Sequence, residues 1–198
     1  MKFHAHRALS KFLTFGKPAA NGLRLHLLVG FYLAVLMVAC SGGGAMALEL
    51  KSPAFSNGSK IPPQYTCEGR DVSPHLQWGS VPDGTKSFAL ISDDPDAPSK
   101  TWIHWVIYNI PAGVRELPQG FPHDTSLPDG ICQGINDSGE TGYGGPCPPP
   151  GKPHRYYFKL YALDRALEIK GAATKEKLLE AMKGHVLGEA VLMGTYER

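Results

Sequence analysis

Asp93-Asp94-Pro95-Asp96-Ala97-Pro98 places three carboxylates in four positions. Like charges at that spacing repel, and the two prolines stiffen the backbone that presents them. Two readings stay open: a rigid surface turn, in which Asp-Pro is common, or a turn that aims one Asp into a pocket at a sheet edge. His104 stands between Trp102 and Trp105 in an apolar run. It reads either as a hydrogen-bonded core residue or, with Trp102 beside it, as the wall of a cavity. The third segment, residues 142–157 (GYGGPCPPPGKPHRYY), holds five prolines and four glycines. Its shape is therefore set by the backbone, and it delivers His154, Arg155 and Tyr156 at the start of a strand. Strand alternation puts His154 and Tyr156 on one face and Arg155 on the other. An Asp, two His and a Tyr around such a loop compose a small anion site, since imidazole and phenol donate to oxyanions. Arg155 either joins that site or pairs with an acid to hold structure.

The elements that must position these groups read mainly as strands. Residues 87–92 (SFALIS) form an apolar run entered through Pro82-Asp83-Gly84, and 102–110 (WIHWVIYNI) is apolar on both alternating faces. There Trp102, His104, Val106 and Tyr108 fall on one side, and Ile103, Trp105 and Ile107 on the other. That is how a strand buried on both sides reads. Residues 156–163 and 186–196 supply two more strands. Between them lies one helix, with Thr174 as N-cap, Leu178, Leu179 and Met182 as its apolar face, and Gly184 at its end. From Leu117 to Pro153 few apolar runs occur, and a structureless stretch of that length is usually functional. The expected fold is an antiparallel β-sandwich with a few short helices, one of them near the C-terminus.

Composition supports a globular chain: of 198 residues, 42% are hydrophobic and 19% charged, which excludes wholesale disorder and a polytopic membrane protein. The 23 glycines and 17 prolines argue for turns rather than a helical bundle. The formal charge of +2 is unevenly spread, because residues 1–47 hold five basic residues and no acid. That leaves 15 basic against 18 acidic residues in 48–198, a net charge of −3, so nucleic-acid binding is not expected there.

The division falls at residue 47: 1–47 as an export signal, 48–198 as one domain. Residues 27–40 (LLVGFYLAVLMVAC) are uncharged over 14 positions, short for a spanning helix and suited to a signal-peptide core. Ala45-Met46-Ala47 fits ordinary signal cleavage, whereas Leu36-Met37-Val38-Ala39-Cys40 resembles a bacterial lipobox in which Cys40 is lipidated. Either outcome makes the protein exported and periplasmic, with membrane contact only through an N-terminal lipid anchor. The exported part keeps Cys67, Cys132 and Cys147, an odd number that allows one internal disulfide at most.

Taken together, D-P-D-A-P at 94–98, W-x-H at 102–104, and G-P-x-P-P-x-G with H-R-Y across 145–156 resemble the phosphatidylethanolamine-binding protein (PEBP) family. The resemblance is to its bacterial and archaeal Raf-kinase-inhibitor-like branch. Ser73-Pro74, Trp78, Pro118-Gln119-Gly120, Asn136-Asp137 and Gly194-Thr195-Tyr196 are similar to that branch as well, in order across 48–198. The resemblance implies a PEBP-like β-sandwich with a cavity at one end for phosphate-like anions and lipid headgroups. Carried over by position, its ligand-binding residues are Asp94, Pro98, Trp102, His104, Pro148, His154 and Tyr156. It also places Cys67 and Cys147 near the pocket, which favours that pair for the disulfide. Cys147 itself, and the residue count before His154, depart from the eukaryotic form of the loop.

The leading expectation is a binding module for a small anionic or phosphorylated ligand, such as a phospholipid headgroup, with no cofactor, no metal and no enzymatic activity. A secreted inhibitor acting through its surface is the alternative. A Cys147–His154 hydrolase ranks lower, because no G-x-S-x-G and no other nucleophile-base pair is present. A copper site is rejected, since His185 and Met193 have no cysteine nearby.

Overall fold

A computed structural model of the chain describes residues 47–198. The segment expected to act as an export signal, Cys40 included, lies outside the described residues apart from Ala47. Ten elements follow in order: β1 (Glu49–Lys51), a 3-10 turn (Pro63–Tyr65), β2 (Leu76–Gly79), β3 (Ser87–Asp94), β4 (Trp102–Pro111), β5 (Glu116–Leu117), β6 (Cys132–Gln133), β7 (His154–Leu163), α1 (Lys175–Met182) and β8 (Val186–Tyr196). They make two antiparallel sheets, of order β1-β2-β5 and β6-β4-β3-β7-β8.

Hydrophobic burial explains why the second sheet reads as continuous apolar runs. One of its faces packs against the small sheet through Trp78, Phe88, Leu90, Trp105, Ile107 and Phe158. The other is covered by Leu167 and α1, with Ala89, Ile91, Val106, Leu178 and Met182 in a second core. All eight residues of β3 are consequently buried. In α1 the Thr174 hydroxyl accepts from the Lys177 amide, and Leu178 and Met182 are buried as expected. Leu179 corrects the expectation: it is 38% exposed, because the covered stripe runs along 178 and 182, one turn apart.

The alternation expected of β4 is also corrected. Ser92 pairs with Trp105 but Asp93 pairs with Ile103, so His104 is an extra residue in the ladder. This β-bulge turns His104 and Trp105 to the same side of the sheet and reverses the phase beyond them. Trp105 and Ile107 then face the inter-sheet core, while Ile103, Val106 and Tyr108 face the helix. A second irregularity follows at Asn109, whose φ is +57°. Its side chain donates to the Leu167 carbonyl and accepts from the Leu167 amide, at 2.9 and 2.7 Å, pinning the segment that roofs the second core.

Residues 117–153 are not structureless. They contribute β6, and the Gln133 side chain accepts from Trp105 Nε1 at 2.7 Å while donating to the Pro122 and Asp124 carbonyls. The rest of the span is tied down by Cys147, which forms a disulfide with Cys67, 80 positions away. Cys132 is half-buried and has no disulfide partner among the described residues. Closing a loop of that length restricts the unfolded chain strongly. Replacing Cys67 and Cys147 together by serine is expected to cost about 4 kcal/mol, seen as a fall of about 10 °C in the unfolding midpoint. A scanning-calorimetry midpoint equal to that of the parent would refute this.

Candidate functional site

The Asp-rich turn at the end of β3 separates its three carboxylates completely. Asp93 points to the helix side, fully buried, where Lys159 and Lys175 donate to it at 2.9 and 2.7 Å. Two ammonium groups offset the cost of a charge withdrawn from water. Asp96 accepts from the Arg155 backbone and holds its guanidinium in a forked pair at 2.7 and 2.8 Å. That fork lowers the Asp96 pKa to about 2. Arg155 therefore clamps the turn onto β7.

Asp94 turns inward, 3% exposed. One of its oxygens accepts from the Asp96 amide at 2.8 Å, and the other from His154 Nδ1 at 2.7 Å. His154 and Tyr156 alternate with Arg155 along β7 and face the same side, with ring centroids 6.5 Å apart. The bulge in β4 brings His104 to meet them, its ring edge-on to Tyr156 at 5.3 Å. Around these groups lies a cavity of about 380 Å³ at the end of the large sheet. All seven residues singled out from sequence line it, with Trp102, Pro98 and Pro148 forming apolar wall.

The glycine-rich loop builds the opposite side. The Gly144 amide donates to the His104 carbonyl at 2.9 Å, and the Gly144 carbonyl accepts from His104 Nδ1 at 2.7 Å. Next to it the Gly145 amide donates to Asp71 at 2.7 Å. A Cβ on Gly145 would sit 2.3 Å from both that carboxylate and the Tyr65 carbonyl, so no other residue fits without displacing backbone. Asn136 holds the neighbouring loop by accepting from the Ser138 and Glu140 amides. Asp71, Glu140 and the disulfide also border the cavity. Asp71 was invisible in the sequence, since its role comes from a partner 74 positions away.

Two polar atoms are buried here without a partner in hydrogen-bonding geometry: His104 Nε2 and the Tyr156 hydroxyl, the latter close to the Asp94 carboxylate. Burial pushes the His104 pKa below 6.5, against the pull of the Gly144 hydrogen bond and of Asp94, and burial with Asp94 nearby raises that of Tyr156 far above its usual range. Both are thus neutral at pH 7. Cys147 is held in the disulfide and offers no thiolate to His154. Among the described residues, no three His, Cys, Asp or Glu side chains stand close enough to hold a metal ion.

An antiparallel β-sandwich with a small polar cavity at the strand ends defines the structural class. The chain belongs to the phosphatidylethanolamine-binding protein family, whose model matches residues 51–197. A UPF0098 protein of Methanothermobacter thermautotrophicus is 56% identical over 151 residues, covering 76% of this chain and 99% of the relative. The crystal structure of a PEBP homologue from Chlamydia trachomatis, CT736, superposes with a TM-score of 0.70 at 46% identity, covering 77% of this chain and 98% of that one. Escherichia coli YbcL, described as a member of the mammalian PEBP family, gives 0.71 at 37% identity, over 76% and 98%.

A lowered histidine pKa has a stability consequence of definite sign. The unfolded chain takes up the His104 proton more readily than the folded one, so stability is fully present above pH 6.5 and falls as pH drops below it. Urea unfolding from about pH 8 to 5 should show that decline, and His104→Gln should flatten it. An identical slope in the variant would exclude His104 as its origin.

Proposed function

We propose that the domain is a binding module for a small phosphorylated ligand of the phosphoethanolamine type, held in the cavity at the end of the large sheet. The observation that carries this reading is the pair of unpartnered polar atoms, His104 Nε2 and the Tyr156 hydroxyl, buried beside the Asp94–His154 pair. Buried polar groups ordinarily have partners, so an empty pair in a cavity marks where ligand atoms belong. The phenol donates to a phosphoryl oxygen. Carboxylates at Asp94, Asp71 and Glu140 oppose a bare anion, and an ammonium on the same ligand removes that conflict. Membership of a family described as phosphatidylethanolamine-binding supports the same ligand class.

Titration calorimetry on the purified protein tests this. Phosphoethanolamine should bind more tightly than inorganic phosphate. Tyr156→Phe should lose about 10- to 150-fold in affinity, the worth of a hydrogen bond to a charged group. His154→Ala should lose a similar factor by leaving one oxygen of Asp94 without its side-chain donor. Equal affinity for the two ligands would remove the zwitterion, and absence of binding would remove the reading.

The setting we propose is extracytoplasmic, after processing of residues 1–47. Intact-mass analysis of protein from the cell envelope should show that residues 1–39 at least are gone. An acylated Cys40 identifies a lipoprotein, a free Leu48 an ordinary signal peptide, and a retained Met1 sinks the proposal.

A further inference from the structure

Cys67 and Cys147 both border the cavity, and both are exposed to solvent. The segments they join are also tied without them. The Cys67 amide donates to the Pro146 carbonyl at 3.1 Å, the Gly145 amide to Asp71 at 2.7 Å, and the Tyr143 hydroxyl to the Tyr65 carbonyl at 2.8 Å. Breaking the S–S bond therefore leaves its two sides in register. Exposed disulfides of this kind are met by solute thiols in the folded state, whereas buried ones wait for unfolding. The two sulfurs are not equivalent. Arg198 Nη1 stands 3.7 Å from Cys147 Sγ, and a guanidinium there stabilises a thiolate. Cys67 is followed by Glu68, whose carboxylate is taken by the Tyr196 hydroxyl. Beyond Cys147 the chain has little else to hold it. Among the described residues, no hydrogen bond fixes 148–153 before β7 begins at His154. That stretch carries Pro148 and Pro149 against the cavity.

We propose that Cys67–Cys147 is a thiol-exchange site for a dithiol reductant, and that its reduction frees residues 147–153 as a lip of the cavity. A thiolate of the reductant attacks Cys67 Sγ, because the better-stabilised thiolate leaves faster and that is Cys147. The S–S bond breaks, and its electron pair goes to Cys147 beside Arg198. Cys67 is then joined to the reductant in a mixed disulfide. The second thiol of the reductant, deprotonated, attacks the reductant's own sulfur in that bond and expels the Cys67 thiolate. Two electrons have passed to the protein, the reductant is left with an internal disulfide, and its two protons end on Cys67 and Cys147. Neither step uses His104, His154 or Tyr156, so the exchange is independent of any ligand in the cavity. With the bond open, the proline stretch is anchored firmly at His154 alone.

Dithiothreitol added to the purified protein, with thiols mapped by alkylation and peptide mass, tests the exchange. Reduction in native buffer should be proportional to dithiothreitol concentration and flat in urea below the unfolding transition. A rate independent of dithiothreitol and climbing steeply with urea means that the bond opens only in the unfolded chain, which overturns the site. With the monothiol 2-mercaptoethanol, early quenching should find the adduct on Cys67 and the alkyl group on Cys147. The reverse pattern overturns the roles given to the two sulfurs. Arg198→Gln should slow reduction about two- to fivefold, the worth of an exposed charge pair, and Arg198→Lys should keep the parent rate. An unchanged rate in Arg198→Gln removes the part assigned to the guanidinium. Nitrogen-15 relaxation reads the lip. On reduction, order parameters at Cys147, Gly151 and Lys152 should fall from near 0.85 to below about 0.6, while those of β3 and β4 hold. Unchanged values at the lip overturn its release, and a fall throughout β3 and β4 shows that reduction unfolds the domain, which overturns both parts.

Discussion

His104 occupies the β4 side of a ladder in which β3 has no counterpart residue between Ser92 and Asp93. The indole at 105 fills the inter-sheet core, where it meets Phe121 and Tyr143, and the bulge lets the imidazole at 104 share that side of the sheet. Regular pairing would send one of the two to the helix face. Either an indole would leave its core or an imidazole would enter an apolar layer, at a cost of several kcal/mol. The bulge removes that conflict, and it places the ring over Tyr156 on a strand that β4 does not touch, since β3 lies between them.

Charge at the same end of the sheet is distributed by the same geometry. Adjacent residues on a strand face opposite sides, so Asp93 and Asp94 part company, one toward two lysines and the other toward His154. The turn that follows bends Asp96 back to Arg155. Three carboxylates that repel one another as a peptide end with separate partners. Across the cavity, the glycine pair at 144–145 replaces side chains with backbone, and a loop held at Cys147 approaches β4 closely enough to clamp the imidazole.

Much of this was legible in the chain. The apolar runs of β3, β4, β7 and β8 are long enough to show, and burial on both faces accounts for their lack of polar alternation. Strands of two to four residues, as in β1, β2, β5 and β6, carry too few positions for a pattern, so a sandwich was expected but these strands were not located. The seven cavity residues named from sequence stand in three compact motifs because each lies near the end of a long strand or in the rigid loop. Asp71 escaped notice because it meets Gly145 only after a long chain excursion.

The sequence alone determined the class of fold, the strand-forming segments and the chemical types gathered near the site, because apolar runs, prolines and glycines act on the backbone locally. Tertiary structure decided which way His104 points, which Asp faces the cavity and which nitrogen of the ring is bare. A bulge belongs to two strands and to their register, so one strand's sequence does not contain it. The state of an imidazole depends on the segments that exclude water from it and on the carbonyl that takes its proton. For His104 those come from Gly144, forty positions on, from Tyr156 on β7 and from Asp94 on β3.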